Sequence, residues 1–117
     1  MTLDKKKPIC PQLCQQLCAG IAAGELPPNT RLMSVRDVAV VAGVNPNTVQ
    51  RAFEQLEQQG VLYSQRGTGW FVAPDTAPAE ALHRALIQEK LNDFFADMAG
   101  LGLSTEKTKE FVKEWLP

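Results

Sequence analysis

Residues 34–72 read SVRDVAVVAGVNPNTVQRAFEQLEQQGVLYSQRGTGWFV, and two apolar stripes in this stretch decide the fold. Val35, Val38, Ala39 and Ala42 fall at i, i+3, i+4 and i+7, and Val49, Ala52, Phe53 and Leu56 repeat that spacing. The period puts each set along one side of an α-helix. Ser34 stands where its side chain caps the free amides of the first helix, with Asp37 three residues on in the position of a capping box. Asn45 caps the second helix, and Pro46 takes its first position, where a missing N–H is no loss. Val44 and Val49 stand as a hydrophobic staple, while Gly43 and Gly60 stop the two helices. Two short helices joined by a glycine-containing turn form a helix-turn-helix candidate.

The next residues narrow the reading. Val61–Ser64 and Trp70–Val72 predict strands around Gln65-Arg66-Gly67-Thr68-Gly69. A basic hairpin directly after the second helix is the wing of a winged helix. Leu32 and Met33 are expected to add a third short strand at the sheet's edge. Upstream, Leu13, Leu17 and Ile21 recur every four residues and predict a helix over Pro11–Ala23, stopped by Gly24. Glu25 to Thr30, with its paired prolines, reads as a turn. Downstream come a Pro/Ala linker at Ala73–Pro78, a long helix over Ala79–Ala99, and a last helix over Thr105–Leu116 capped by Ser104.

The expected fold is mainly α with a small β wing (α+β). Residues 1–75 are read as the winged helix-turn-helix domain and 76–117 as a helical dimerisation tail. Leu91, Phe94, Phe95, Met98, Phe111 and Trp115 give that tail more apolar surface than so small a monomer can cover, which points to a homodimer.

Composition bounds the remaining choices. A chain of 117 residues buries one modest core, and 44% hydrophobic with 21% charged residues is ordinary for a globular protein. No run has the roughly 20 apolar residues of a membrane span. Lys5, Lys6 and Lys7 are followed by no secretory core, because Gln12, Gln15 and Gln16 interrupt Cys10–Ala23, so the cytoplasm is the expected compartment. The net charge of −1 divides into +1 over residues 1–75 and −2 over residues 76–117. That neither favours nor excludes nucleic acid, since a local basic stripe suffices.

The second helix carries base-reading chemistry on the face opposite its apolar stripe, where Asn47, Gln50, Arg51 and Glu54 lie. Asn47 and Gln50 amides can pair bidentately with the N6/N7 edge of adenine in the major groove, with Thr48 beside them. Pro46 adds an apolar surface for a thymine methyl, and Arg51 reaches toward a phosphate. Ser34 and Arg36 can clamp the DNA backbone with charge and free amides. Arg66 at the wing tip suits a neighbouring phosphate or a narrow minor groove, and Gly67 lets the strand pass close. Glu54 reads as a solvated charge, and Asn45 as a cap alone.

On these residues the chain resembles the GntR family of transcription regulators. The similarity runs from Pro8 to Val72 and is carried by Leu32-Met33-Ser34-Val35-Arg36-Asp37-Val38-Ala39, by Gly43-Val44-Asn45-Pro46-Asn47-Thr48-Val49-Gln50-Arg51-Ala52-Phe53, by Leu56-Glu57 and Gly60, and by Arg66-Gly67-Thr68-Gly69-Trp70-Phe71-Val72. Val44-Asn45-Pro46-Asn47-Thr48-Val49 and the short tail are most similar to the YtrA subfamily, whose members lack a large effector domain and dimerise through two helices. The resemblance implies double-stranded DNA as partner, with contacts at Arg36, Asn47, Thr48, Gln50, Arg66 and Gly67. It also implies repression as the usual mode and a link to operons for ABC-type transporters. Members often carry Pro where Met33 stands and Arg where Pro46 and Gln50 stand, so a guanine-rich family operator is not to be assumed here.

Other readings compete at single residues. Cys10, Cys14 and Cys18, four residues apart, would line one helix stripe, too far apart for a disulfide within the helix. A redox or soft-metal sensor is the sharper reading of them. Packing is the expected one, since zinc needs a fourth ligand and His83 is the sole histidine. A winged helix serving as a protein-interaction module would need no base-reading face. An enzyme would need a catalytic constellation, and none is found. No cofactor or metal is expected. A small-molecule effector is left open as a partner, with no residue that identifies it.

Overall fold

In the structure, a computed structural model that describes residues 3–117, the elements are α1 (Ile9–Ala22), α2 (Val35–Ala42), α3 (Pro46–Gln58), β1 (Leu62–Gln65), β2 (Gly69–Val72), α4 (Ala77–Gly100) and α5 (Thr105–Trp115). The described residues fall into two compact units, the first reaching to His83 and the second running Arg84–Pro117. The expected class, mainly α with a small β wing, is the one observed.

The first unit is organised around α3. Val49, Ala52, Phe53 and Leu56, the predicted stripe, are all buried, and α1 packs on them through Leu13, Leu17, Cys18 and Ile21. Val38 and Ala39 come in from α2, Val61, Leu62 and Val72 from the hairpin, and Ala79 from the first turns of α4. The Phe53 ring meets Trp70 edge-on, centroids 5.6 Å apart at 72°. That contact ties the wing to the same core, an arrangement aromatic pairs favour.

Helix α2 ends as the glycine at 43 predicts. Gly43 takes φ 68°, its N–H donates to Val40 O at 3.3 Å, and the Val44 N–H donates to Ala39 O at 3.0 Å. These two bonds satisfy carbonyls that the helix end would otherwise leave orphaned. The tight corner they make brings α3 directly after α2.

The strands pair antiparallel in the register Leu62↔Val72, Tyr63↔Phe71, Ser64↔Trp70 and Gln65↔Gly69. Helix α1 starts two residues before the expected Pro11, since Ile9 joins its apolar side, and two larger details differ from the sequence reading. The edge pairing sits earlier than Leu32–Met33: Arg31 bridges Phe71, Val72 N–H donates to Thr30 O at 2.9 Å, and Leu32 N–H donates to Trp70 O at 2.8 Å. Met33 is exposed and leads into the Ser34 cap. The linker is also shorter, because Ala77 and Pro78 form the first turn of α4, with Asp75 Oδ1 accepting from Ala77 N–H at 2.9 Å. A proline is tolerated there because first-turn amides have no intrahelical acceptor.

In the second unit, α4 closes at Gly102 by a similar pair of bonds, Leu103 N–H to Met98 O at 3.0 Å and Gly102 N–H to Ala99 O at 2.9 Å. Ser104 then caps α5, its hydroxyl accepting from Lys107 N–H at 3.1 Å.

Replacing Phe53 by Ala empties the centre of the first unit and removes the wing's ring partner. The expected loss is about 3–5 kcal/mol of unfolding free energy, measured by urea denaturation followed at Trp70.

Candidate nucleic-acid interface

The exposed end of α3 reads outward through side chains. Asn45 Oδ1 accepts from Asn47 N–H at 2.8 Å, Asn45 O accepts from Thr48 N–H at 3.0 Å, and Pro46 has no N–H to offer. The first-turn donors are thereby occupied. Pro46, Asn47 and Arg51 are exposed, and Thr48 and Gln50 are half-buried. Asn47, Gln50, Arg51 and Glu54 share one face by helical spacing, opposite the buried stripe.

Glu54 is more than a solvated charge. Its Oε1 accepts from Gln50 Nε2 at 2.9 Å. A carboxylate only accepts, so the nitrogen end of the Gln50 amide must face it. Gln50 then retains its carbonyl oxygen and one N–H, the acceptor–donor pair that an adenine edge requires.

At the start of α2 the Ser34 hydroxyl accepts from Asp37 N–H at 3.0 Å, one half of the expected capping box. The amides of Val35 and Arg36 have no acceptor among the described residues. Together with the exposed Arg36 guanidinium they make a phosphate-sized cluster of donors at a helix N-terminus.

The wing is braced from both sides. Glu57 Oε2 on α3 accepts from Ser64 N–H at 3.0 Å and from the Ser64 hydroxyl at 2.8 Å. Tyr63 stacks on Phe71 with centroids 5.3 Å apart, and its hydroxyl donates to Asn29 Oδ1 at 3.0 Å. Thr68 N–H donates to Gln65 O at 3.0 Å across the tip, and Gly67 adopts the φ of 77° that side chains disfavour. Arg66 is exposed beside it. Arg31 lies along this edge, its Nε 3.6 Å from where a Cβ on Gly69 would stand.

The sequence-predicted residues therefore form two groups, Ser34, Arg36, Pro46, Asn47, Thr48, Gln50 and Arg51 on α2 and α3, and Arg66 with Gly67 at the wing tip. Sequence reasoning missed Arg31, Glu54 and Glu57. Spacing alone pairs Glu54 with Gln50, since they stand four apart on a helix; Arg31 carries no such local signal, because its place depends on which residue of the edge meets Phe71. In the second unit Leu91, Phe94, Phe111 and Trp115 are exposed, Trp115 by 81%, and Phe95 and Met98 are half-buried. Except for Met98, these residues line an open apolar cleft of about 720 Å³ between α4 and α5.

The thiol stripe faces α3. Cys14 Sγ lies 4.0 Å from Ala52 O, and Cys10 Sγ lies 3.7 Å from Gln55 Oε1. Burial, and then the neighbouring Cys10 and Cys18, push the Cys14 thiol from 9.0 up to about 12. Burial also raises Cys18. Both shifts oppose the thiolate form that redox and metal chemistry use. Cys14 and Cys18 serve as packing groups.

Comparison with known proteins follows the same lines. The family model described as "Bacterial regulatory proteins, gntR family" matches residues 11–72. The chain is 36% identical over 107 residues to the uncharacterized HTH-type transcriptional regulator YhcF of Bacillus subtilis, covering 92% of this chain and 88% of the relative. It is 32% identical over 92 residues to the HTH-type transcriptional repressor YtrA of the same organism, covering 78% and 71%. A GntR family transcriptional regulator from Listeria monocytogenes is similar in structure with a TM-score of 0.83 and 33% identity, over 96% of this chain and 98% of that one. AraR(DBD) in complex with operator ORX1 gives a TM-score of 0.59 and 26% identity, over 62% of this chain and 95% of that one. No helix among the described residues is long and apolar enough to cross a membrane.

The raised Cys14 pKa makes folding stability depend on alkaline pH. A neutral thiol favours the folded state, so its contribution is complete below pH 9 and is lost as pH rises toward about 12. Cys14→Ala should flatten the alkaline fall in stability over that window, seen by denaturation at stepped pH. Iodoacetamide at pH 8 should label Cys14 in the folded protein far more slowly than in the unfolded chain.

Proposed function

The chain belongs to the gntR family of bacterial regulatory proteins, DNA-binding transcription regulators, and from that premise we propose that it is a cytoplasmic repressor that grips a palindromic operator as a homodimer. The observation that carries the proposal is the outer face of α3. Exposed Asn47 and Arg51 and half-buried Gln50 stand together on one stripe, and Glu54 orients the Gln50 amide. In this reading α3 lies in the major groove, with Asn47 and Gln50 meeting adenine edges and Pro46 and Thr48 beside them. Ser34 and Arg36 at the start of α2, and Arg51, hold phosphates. Arg66 enters the neighbouring minor groove, and Gly67 lets the wing come close.

The second copy is assigned to the tail. Phe94, Phe95, Phe111 and Trp115 line the apolar cleft of the second unit, and these are the residues the sequence marks as surplus. Exposed aromatics in that number favour burial against an identical surface over a lone small-molecule effector. Two heads joined in this way would address half-sites about 34 Å apart, one helical turn of DNA. Similarity to the HTH-type transcriptional repressor YtrA supports repression, and the family resemblance points to a transporter operon as the target.

Selection of bound fragments from genomic DNA, followed by titration against a random duplex, tests the reading. Gln50→Ala should lose about 1–3 kcal/mol on the selected site alone. Arg51→Ala should weaken both duplexes alike and make the salt slope shallower by about 1. Equal losses on both duplexes for both variants would refute the role assignment.

Phe111→Glu changes a side chain already 57% exposed, so the chain should fold. Sedimentation should show this variant as a monomer with weakened operator binding, whereas the unaltered chain sediments as a dimer at micromolar concentration. An unaltered chain that is monomeric there sinks the dimer.

A further inference from the structure

Lys5, Lys6 and Lys7 take no part in the interface described above, yet their turn is closed by hydrogen bonds. The Gln12 side chain holds their turn: Oε1 accepts from Asp4 N–H at 2.8 Å, and Nε2 donates to Asp4 O at 2.9 Å, to Pro8 O at 3.0 Å and, most weakly, to Lys7 O at 3.4 Å. Within the turn, Lys7 N–H donates to Asp4 O at 3.1 Å and Lys6 N–H to Asp4 Oδ1 at 3.0 Å. The Asp4 carboxylate, next in sequence, thus accepts from the backbone. None of the three ammonium groups is in an ion pair among the described residues, and all three side chains are exposed.

From this turn the Lys5 side chain reaches the corner of the helix-turn-helix. A Cβ built on Gly43 would stand 2.8 Å from Lys5 Nζ. Gly43 therefore does two things: it supplies the left-handed φ that ends α2, and it leaves room for an ammonium group over the corner. The α2 C-terminus, with its partial negative charge, attracts that ammonium. Three residues later α3 begins at Pro46.

We propose that Lys5, Lys6 and Lys7 form a further phosphate-binding site for duplex DNA, placed at the corner between α2 and α3. This rests on the reading that α3 enters the major groove. The groove that admits such a helix is walled by phosphates, and a cation at the corner meets the wall and not the base edges. Lysine suits the role, being a compact charge that needs no bidentate geometry. Because Gln12 holds the turn before DNA arrives, little ordering cost falls on binding. The site lies outside the family match, which begins at residue 11. It adds a sequence-independent grip to the reading face.

Replacing all three lysines by Ala, and measuring affinity for a random and a selected duplex over a series of salt concentrations, tests this. Each phosphate contact contributes about 0.9 to the log–log salt slope, so the slope should become shallower by about 2–3. The preference for the selected duplex should be kept. Lys90→Ala, which removes one exposed charge from α4, should leave the slope unchanged. An unchanged slope in the triple variant, with the unaltered chain binding normally, overturns this site alone. A comparable change from Lys90→Ala also overturns it, since bulk charge would then be the cause. An unaltered chain that ignores duplex DNA at low salt overturns both the groove reading and this one.

Discussion

One side of α3 is clamped in the core, and that constraint governs the rest of the first unit. Val49, Ala52, Phe53 and Leu56 are at most 1% exposed. Four side chains sealed on one stripe leave the helix no freedom to roll. The polar stripe opposite them is consequently held at a fixed angle to α2 and to the wing. Reading a base edge demands this, because a bidentate amide contact tolerates little rotation before one of its two hydrogen bonds is lost. The core supplies the stiffness that the face needs.

Polar braces extend that stiffness outward. Glu57 ties Ser64 to α3 by two bonds, and Tyr63 reaches back to Asn29. Hydrogen bonds to a charged group contribute about 1.5–3 kcal/mol when well made, though exposure lowers that here. Their effect is geometric as much as energetic. A two-stranded hairpin is marginal alone in water, and this one is made dependable by Trp70 on Phe53, by the edge residues 29–32, and by Glu57. The pair of arginines at 31 and 66 rides on that braced ribbon.

Much of this was legible in the sequence wherever the determinant is local. Ser34, Asn45, Pro46 and Gly43 announce helix ends through their own backbone and side-chain chemistry, and each acts as read. The apolar periods likewise located the core of α2 and α3. The misses share a different cause. The edge pairing depends on which residue of the 29–33 segment meets β2, and a single-residue slip there concealed Arg31. The start of α4 was read late because Pro78 looks like a breaker unless it falls in a first turn. Lys5 was counted only as charge, since nothing local says that it reaches residue 43.

The bond between Gln50 and Glu54 has an evolutionary corollary. Because one N–H of the Gln50 amide is already given to Glu54, the two positions form a linked pair in the vocabulary of the helix. If α3 enters the groove as proposed, a lineage drifting toward a new recognition sequence cannot rewrite residue 50 in isolation without leaving the Glu54 carboxylate unpartnered. Epistasis between these neighbours should leave its trace as covariation across descendants. Divergence would then advance by paired exchanges, while the sealed stripe beneath them stays fixed.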